Sequence, residues 1–115
     1  MIKKSSVSII SDSELTTVYT VPNGKTCELV MVWITNPDTT NKTLRLDFYD
    51  KSLDTSVTIL EDYQVNQKDF VQIGGTENSF VVMKEGDKLM AQGSHNSNFR
   101  LILAMKEHNS IIQGG

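Results

Sequence analysis

Apolar residues in this chain fall in short stretches divided by turn-forming clusters, not at the i, i+3, i+4 spacing of a helix face. That pattern restricts the chain to strands. Ser, Thr and Asn supply 30 residues against 2 prolines, which leaves ample turn chemistry and little to forbid pairing. From Glu14 to Val21 β-branched residues are dense (Thr16, Thr17, Val18, Thr20, Val21), and Pro22-Asn23-Gly24 follows. Pro22 presets φ and Gly24 accepts a left-handed backbone, so the expectation is a hairpin whose second strand returns antiparallel from Lys25. The stretch Thr26 to Thr35 is apolar on both alternating faces in its second half, which an exposed edge strand would not tolerate. It is expected at the centre of a sheet, or under a neighbouring subunit, with Trp33 buried.

Asn36-Pro37-Asp38-Thr39-Thr40-Asn41 reads as a loop. Thr43 to Asp50 then alternates, with Leu44, Leu46 and Phe48 on a packed side and Arg45, Asp47 and Tyr49 on a wet one. Further strands are expected over roughly Val57 to Gln64, Phe70 to Ile73, Phe80 to Met83, Lys88 to Gly93 and Phe99 to Lys106. Leu60 to Val65 can also be read as the start of a helical turn. The last strand places Phe99, Leu101, Leu103 and Met105 inward and Arg100 and Lys106 on the opposite face. The fold class is therefore all-β, an antiparallel two-sheet β-sandwich of jelly-roll type. Its 115 residues fit one domain. The expected division is an N-terminal arm over 1–13, the sandwich over 14–108 and a C-terminal tail over 109–115. Such ends commonly lie on a neighbour in an assembly.

Charge and residue inventory narrow the function classes. Eleven Lys and Arg against 14 Asp and Glu give a net charge of -3, so no phosphate-neutralising groove is expected and no direct nucleic-acid partner. The longest apolar run, Leu29 to Ile34, is far short of a membrane span, and neither a membrane partner nor a secretion signal is expected. The single cysteine, Cys27, reads as a buried thiol. His95 and His108, the two histidines, stand on either side of a strand and lack a carboxylate pattern that would complete a metal site. Asp47, Asp50, Asp54, Glu61 and Asp62 follow no calcium-loop order and alternate with Arg45 and Lys51, as a solvated face does. No catalytic residue, cofactor or metal is expected. Trp33, Tyr19, Tyr49 and Tyr63 are weighed as a sugar-stacking platform, of which Tyr49 and Tyr63 are kept as exposed contact candidates.

Two motifs carry a resemblance: Thr17 to Lys25, containing Tyr19-Thr20-Val21-Pro22-Asn23-Gly24-Lys25, and Val82 to Leu89, containing Glu85-Gly86-Asp87. Together they resemble the small β-sandwich virion proteins of tailed bacteriophages, over about Thr16 to Glu107. The resemblance implies a non-enzymatic virion structural protein, foremost a capsid decoration (cement) protein stabilising the head through subunit contacts. A tail or baseplate adaptor and a head-fibre component are the alternatives within it. It further implies self-association as a homotrimer or higher ring, the major capsid protein or another virion protein as partner, and a place in the virion assembled in the host cytoplasm. No functional residue is carried over, because the family has no catalytic or ligand motif. The contacts are instead placed on ends and loop tips: Val7 and Ile9; Asn36, Pro37 and Asp38; His95 and Asn96; and Tyr49 and Tyr63. A carbohydrate-binding sandwich module using Tyr49 or Tyr63 is the rival.

Overall fold

A computed structural model describes residues 14–75 and 81–109 in full and residues 2–10 in their backbone course. Its strands are β1 (Ile2–Ile10), β2 (Thr16–Thr20), β3 (Lys25–Thr35), β4 (Lys42–Asp50), β5 (Thr55–Val65), β6 (Phe70–Gly74), β7 (Val81–Lys84), β8 (Lys88–Gly93) and β9 (Phe99–Asn109). One sheet runs β1-β9-β3-β6, with β7 also paired to β3; the other runs β2-β8-β4-β5. The antiparallel pairings nest about the β4–β5 turn: β4 with β5, β3 with β6 and β7, β2 with β8, β1 with β9. The chain is thus one long hairpin rolled over, and the lateral pairs β3·β9 and β4·β8 close it into two sheets. That is a jelly roll.

Rolling overturns one local expectation. β2 and β3 do not form a hairpin: β2 pairs with β8 and β3 with β9, so Pro22-Asn23-Gly24 carries the chain from one sheet to the other. The turn chemistry is as the sequence indicates, with Lys25 N–H donating to Pro22 C=O at 3.2 Å and Gly24 at φ 76°. A tight turn fixes the chain's reversal but not the sheet it enters, and the inner faces of two sheets bury more apolar surface than one hairpin offers. The Glu85-Gly86-Asp87 turn makes the reverse crossing from β7 to β8. The two crossings are sewn together: Val21 N–H donates to Asp87 C=O, Gly86 N–H to Val21 C=O, and Gly24 N–H to the Glu85 carboxylate, at 2.9–3.0 Å. The buried Asp87 carboxylate accepts from the backbone N–H of Lys51 and of Lys84.

The interior follows the alternation of the strands. Phe99, Leu101, Leu103 and Met105 of β9 all point between the sheets with no exposed surface, as do Cys27, Leu29, Val32 and Ile34 of β3. Leu44 and Leu46 of β4 and Leu89 and Ala91 of β8 meet them from the second sheet. Burying a side chain of this size contributes about 1.5–3 kcal/mol each. β3 is central, as its apolar content requires, but a bulge between Leu29 and Met31 shifts its alternation. Val30 is buried at the bulge, its C=O accepting from Gly75 N–H, and Met31 and Trp33 turn outward. Trp33 is therefore half-buried on the outer surface, not in the core.

β5 continues as strand to Val65, where a helical turn was the alternative. Registers shift on both sides of Leu46 in its pairing with β4, and Asp62 takes φ 48°. Residues 2–10, expected within an N-terminal arm, run as β1 along β9, pairing an edge whose N–H and C=O groups would otherwise lie open. Residues 11–13 and 110–115 of the expected arm and tail, and Phe80 at the start of an expected strand, lie outside the described residues.

Candidate functional site

Sheet alternation sends Arg100, Ile102, Ala104 and Lys106 of β9 to the outer surface of the first sheet, opposite the core residues between them. The bulge at Val30 sets Met31 and Trp33 on the same surface, with Trp33 directly across from Ile102. Phe70 of β6 stacks on the Trp33 indole, ring centroids 4.1 Å apart and planes within 6°. The Trp33 Nε1–H donates to Thr35 Oγ1 at 2.8 Å, which fixes the ring's orientation. Phe70, Val82 and Ile102 keep 49%, 58% and 38% of their surface exposed. An apolar strip thus crosses β9, β3 and β6, with cations at both ends of its β9 side. The nearby acid Glu28 is engaged by His108 at 2.6 Å.

The second sheet presents a different surface. Asp47, almost fully covered, accepts from the Arg45 guanidinium at 3.0 Å. Arg45, Glu61, Asp62, Gln92 and Ser94 border a groove of about 240 Å³. At the far end of β4, Tyr49 donates its hydroxyl to Asp54 at 2.6 Å, a bond that pushes the phenol pKa upward. The Lys88 ammonium stands 5.7 Å from the Tyr49 ring centroid.

Of the residues singled out from the sequence, the Asn36–Asp38 and His95–Asn96 loops meet at one end of the sandwich, while Tyr49 and Tyr63 stay apart. Asn36 is fully buried, its amide donating to the C=O of Thr40, Val65 and Asn66 while its oxygen accepts from Asp38 N–H. Pro37 is half-buried, and Asp38 binds the backbone and side-chain N–H groups of Asn98. His95 and Asn96 are exposed at the tip of the β8–β9 loop, on the same end of the sandwich as Asp38, with Asn96 at φ 61°. Val7 and Ile9 lie in register with Ile102 and Arg100, and their side chains are outside what is described. Tyr63 is exposed on β5 opposite Leu44, while Tyr49 pairs with Ser56 at the other end of the same ladder. The two tyrosines form no common platform, and Trp33 lies on the other sheet with one ring face covered by Phe70.

The one thiol and the groove carboxylates Glu61 and Asp62 lie on different sheets. Cys27 is fully buried across from Glu107, which receives the Tyr19 hydroxyl at 2.8 Å. Burial first, then this hydrogen bond, push the Tyr19 pKa well above its ordinary 10.0. His95 and His108 are separated by the length of β9, roughly 30 Å at the usual strand rise. Among the described residues no three His, Cys, Asp or Glu side chains group as metal ligands. The outer strip was missed from sequence because the bulge at Val30 leaves no signature in residue type.

No family model matches the chain and no curated protein matches it. Solved structures do share its fold. The chain is similar to a structure of Bacillus endospore appendages, described as a family of disulfide-linked pili, with TM-score 0.58 and 9% identity over 96% of this chain and 88% of that one. It is similar also to PirA, with TM-score 0.50 and 12% identity over 87% of this chain and 92% of that one. At those identities the likeness is one of fold.

Proposed function

We propose that the protein is a non-enzymatic structural subunit that acts by assembling with other copies and with partner proteins. The observation that carries this reading is the Ile102–Trp33–Phe70 strip on the outer face of the first sheet, in a fold that buries its one thiol. Exposed apolar strips of this kind mark protein-interaction surfaces. A subunit that works by contact needs interface area multiplied by copy number and no single strong site. The likeness to endospore-appendage pili supports assembly as the mode of action. Those pili are described as disulfide-linked, whereas Cys27, the single cysteine of this sequence, is fully buried. Association here therefore rests on noncovalent burial.

The finer reading is a virion protein, with capsid decoration as its foremost form. Its support is the pair of turn motifs at Tyr19 to Lys25 and Glu85 to Asp87, which the fold uses as its two sewn sheet crossings. Immunogold labelling of purified particles tests both levels. Regular label over phage heads supports decoration. Label on a tail or on a cellular appendage overturns decoration and keeps the structural role, and protein found only as free monomer overturns both. The carbohydrate reading is disfavoured by the Tyr49 ring carrying a lysine and by its separation from Tyr63.

A further inference from the structure

The two turn motifs of the sequence, which the fold uses as its sheet crossings, meet at one cavity. It is open, about 500 Å³ in volume, and bordered by Pro22 and Asn23 of the first crossing, Gly86 of the second, and Tyr49, Lys51 and Lys88. Lys88 and Tyr49 stand in register as neighbours on the second sheet. Two ammonium groups line the cavity and, among the described residues, no carboxylate does. The fold itself places both cations. Gly86 takes φ 84° and has no side chain, and a Cβ there would collide with the Lys51 stem, so the turn leaves open the path along which Lys51 lies. Lys88 Nζ stands 5.7 Å from the Tyr49 ring centroid, and the Tyr49 hydroxyl is fastened to Asp54. The other acids nearby are engaged in holding the turns: Asp87 accepts from the N–H of Lys51 and Lys84, Glu85 from that of Gly24, and Asp50 from those of Ser52 and Leu53. Among the described residues neither Lys51 nor Lys88 has a carboxylate within ion-pair distance.

We propose that this cavity docks an acidic segment of a partner protein, an Asp or Glu carboxylate of that segment seating between Lys51 and Lys88 with its stem against Pro22. The Asn23 amide supplies a further donor for the segment's carbonyl groups. A bare ion would meet the two ammonium groups and leave the Pro22 wall and most of the volume uncovered, whereas a side chain carried on an extended segment meets both. Charge selects the partner and steers its approach, and cations already held by Gly86 and Tyr49 lose little freedom on binding. This rests on the structural-subunit reading above and names the class of protein which that subunit engages at this end of the sandwich.

Titration of the isotope-labelled full chain with hexaglutamate, followed by NMR at low salt, tests it. The expected result is a saturable shift confined to the amide signals of Asn23, Lys51, Gly86, Lys88 and their neighbours, weakening as salt rises. Lys51→Gln with Lys88→Gln is expected to weaken binding by at least about fivefold. Arg100→Gln with Lys106→Gln removes the same charge from the other sheet and is expected to leave binding unchanged. Gly86→Ala keeps every charge but displaces the Lys51 stem, and is expected to weaken binding while circular dichroism shows the sandwich intact. Inorganic phosphate in place of hexaglutamate is expected to give no saturable shift. Shifts spread over the whole surface, a Lys51 and Lys88 variant or a folded Gly86→Ala variant that binds like the wild type, or phosphate that matches hexaglutamate each overturn the docking site. None of these outcomes bears on the structural reading, which particle labelling decides separately.

Discussion

Replacing Asn36 by alanine perturbs the end of the sandwich where three loops meet. Its side chain is fully buried and makes three bonds of 2.9–3.0 Å, to Thr40 C=O, Val65 C=O and Asp38 N–H, with a longer fourth of 3.3 Å to Asn66 C=O. A buried hydrogen bond contributes about 1 kcal/mol net, and more when its partner is left without water. Three lost bonds therefore predict a loss of about 3 kcal/mol, or a fall in Tm of about 12 °C for a domain of this length. Urea denaturation followed by circular dichroism measures it as a lower midpoint at an unchanged slope. Asn36→Asp sharpens the test. A carboxylate in that position faces carbonyl oxygens and donates nothing, so this variant should be less stable than Asn36→Ala at neutral pH. Its folded-state pKa is raised by that repulsion, so its deficit against the wild type should shrink as pH falls and the carboxyl regains a proton to donate. A loss below about 1 kcal/mol for Asn36→Ala, or a deficit of Asn36→Asp that grows on acidification, refutes the reasoning.

Three other outcomes follow from the same structure. Leu103→Ala, at a position with no exposed surface, should cost about 3 kcal/mol through lost burial and a cavity, whereas Ile102→Ala on the outer face should cost less than about 1 kcal/mol; chemical denaturation of the pair separates inner from outer. Gly24→Ala and Gly86→Ala place a side chain at φ 76° and 84° and should each cost about 1 kcal/mol, Gly86→Ala slightly more because the Lys51 stem must move aside; differential scanning calorimetry ranks them. Tyr19, with its folded-state pKa raised, keeps its proton where the unfolded chain loses it. Its contribution is therefore complete below its ordinary 10.0 and is lost as pH rises beyond that value. Alkaline unfolding midpoints should show Tyr19→Phe to be less sensitive to pH than the wild type above that point, and equal sensitivity contradicts the assignment.

Most strands could be read directly from residue type. In β9 the positions Phe99, Leu101, Leu103 and Met105 alternate with Arg100, Ile102, Ala104 and Lys106, and the structure buries all four of the first set. β4 likewise keeps Leu44 and Leu46 inside and Arg45 and Tyr49 outside, but Asp47, expected on the wet side, is almost fully buried with the Arg45 guanidinium bound to it. The sheet in which a strand lands is a different matter. Pro22-Asn23-Gly24 specifies a tight reversal equally well within a hairpin or between sheets, and the distant partners β8 of β2 and β9 of β3 decide between them. Trp33 illustrates a second limit: the bulge at Val30 turns its side chain outward, and bulges arise from register against neighbours on β9 and β6. Asn36 is a third case. As a polar residue in a loop it reads as a surface contact, while its burial depends on carbonyl groups about 30 positions further along the chain. β1 escaped notice because Val7-Ser8-Ile9-Ile10 is too broken to read as a strand without its partner β9.

Quantitative mass spectrometry of purified particles from the source of this chain, giving copies per particle, tests the central claim most directly. A structural subunit is predicted to copurify in a fixed ratio to the major structural protein, in numbers that set a lattice or filament repeat. Recovery only in the soluble fraction, with trace and variable amounts on any particle, would contradict the account.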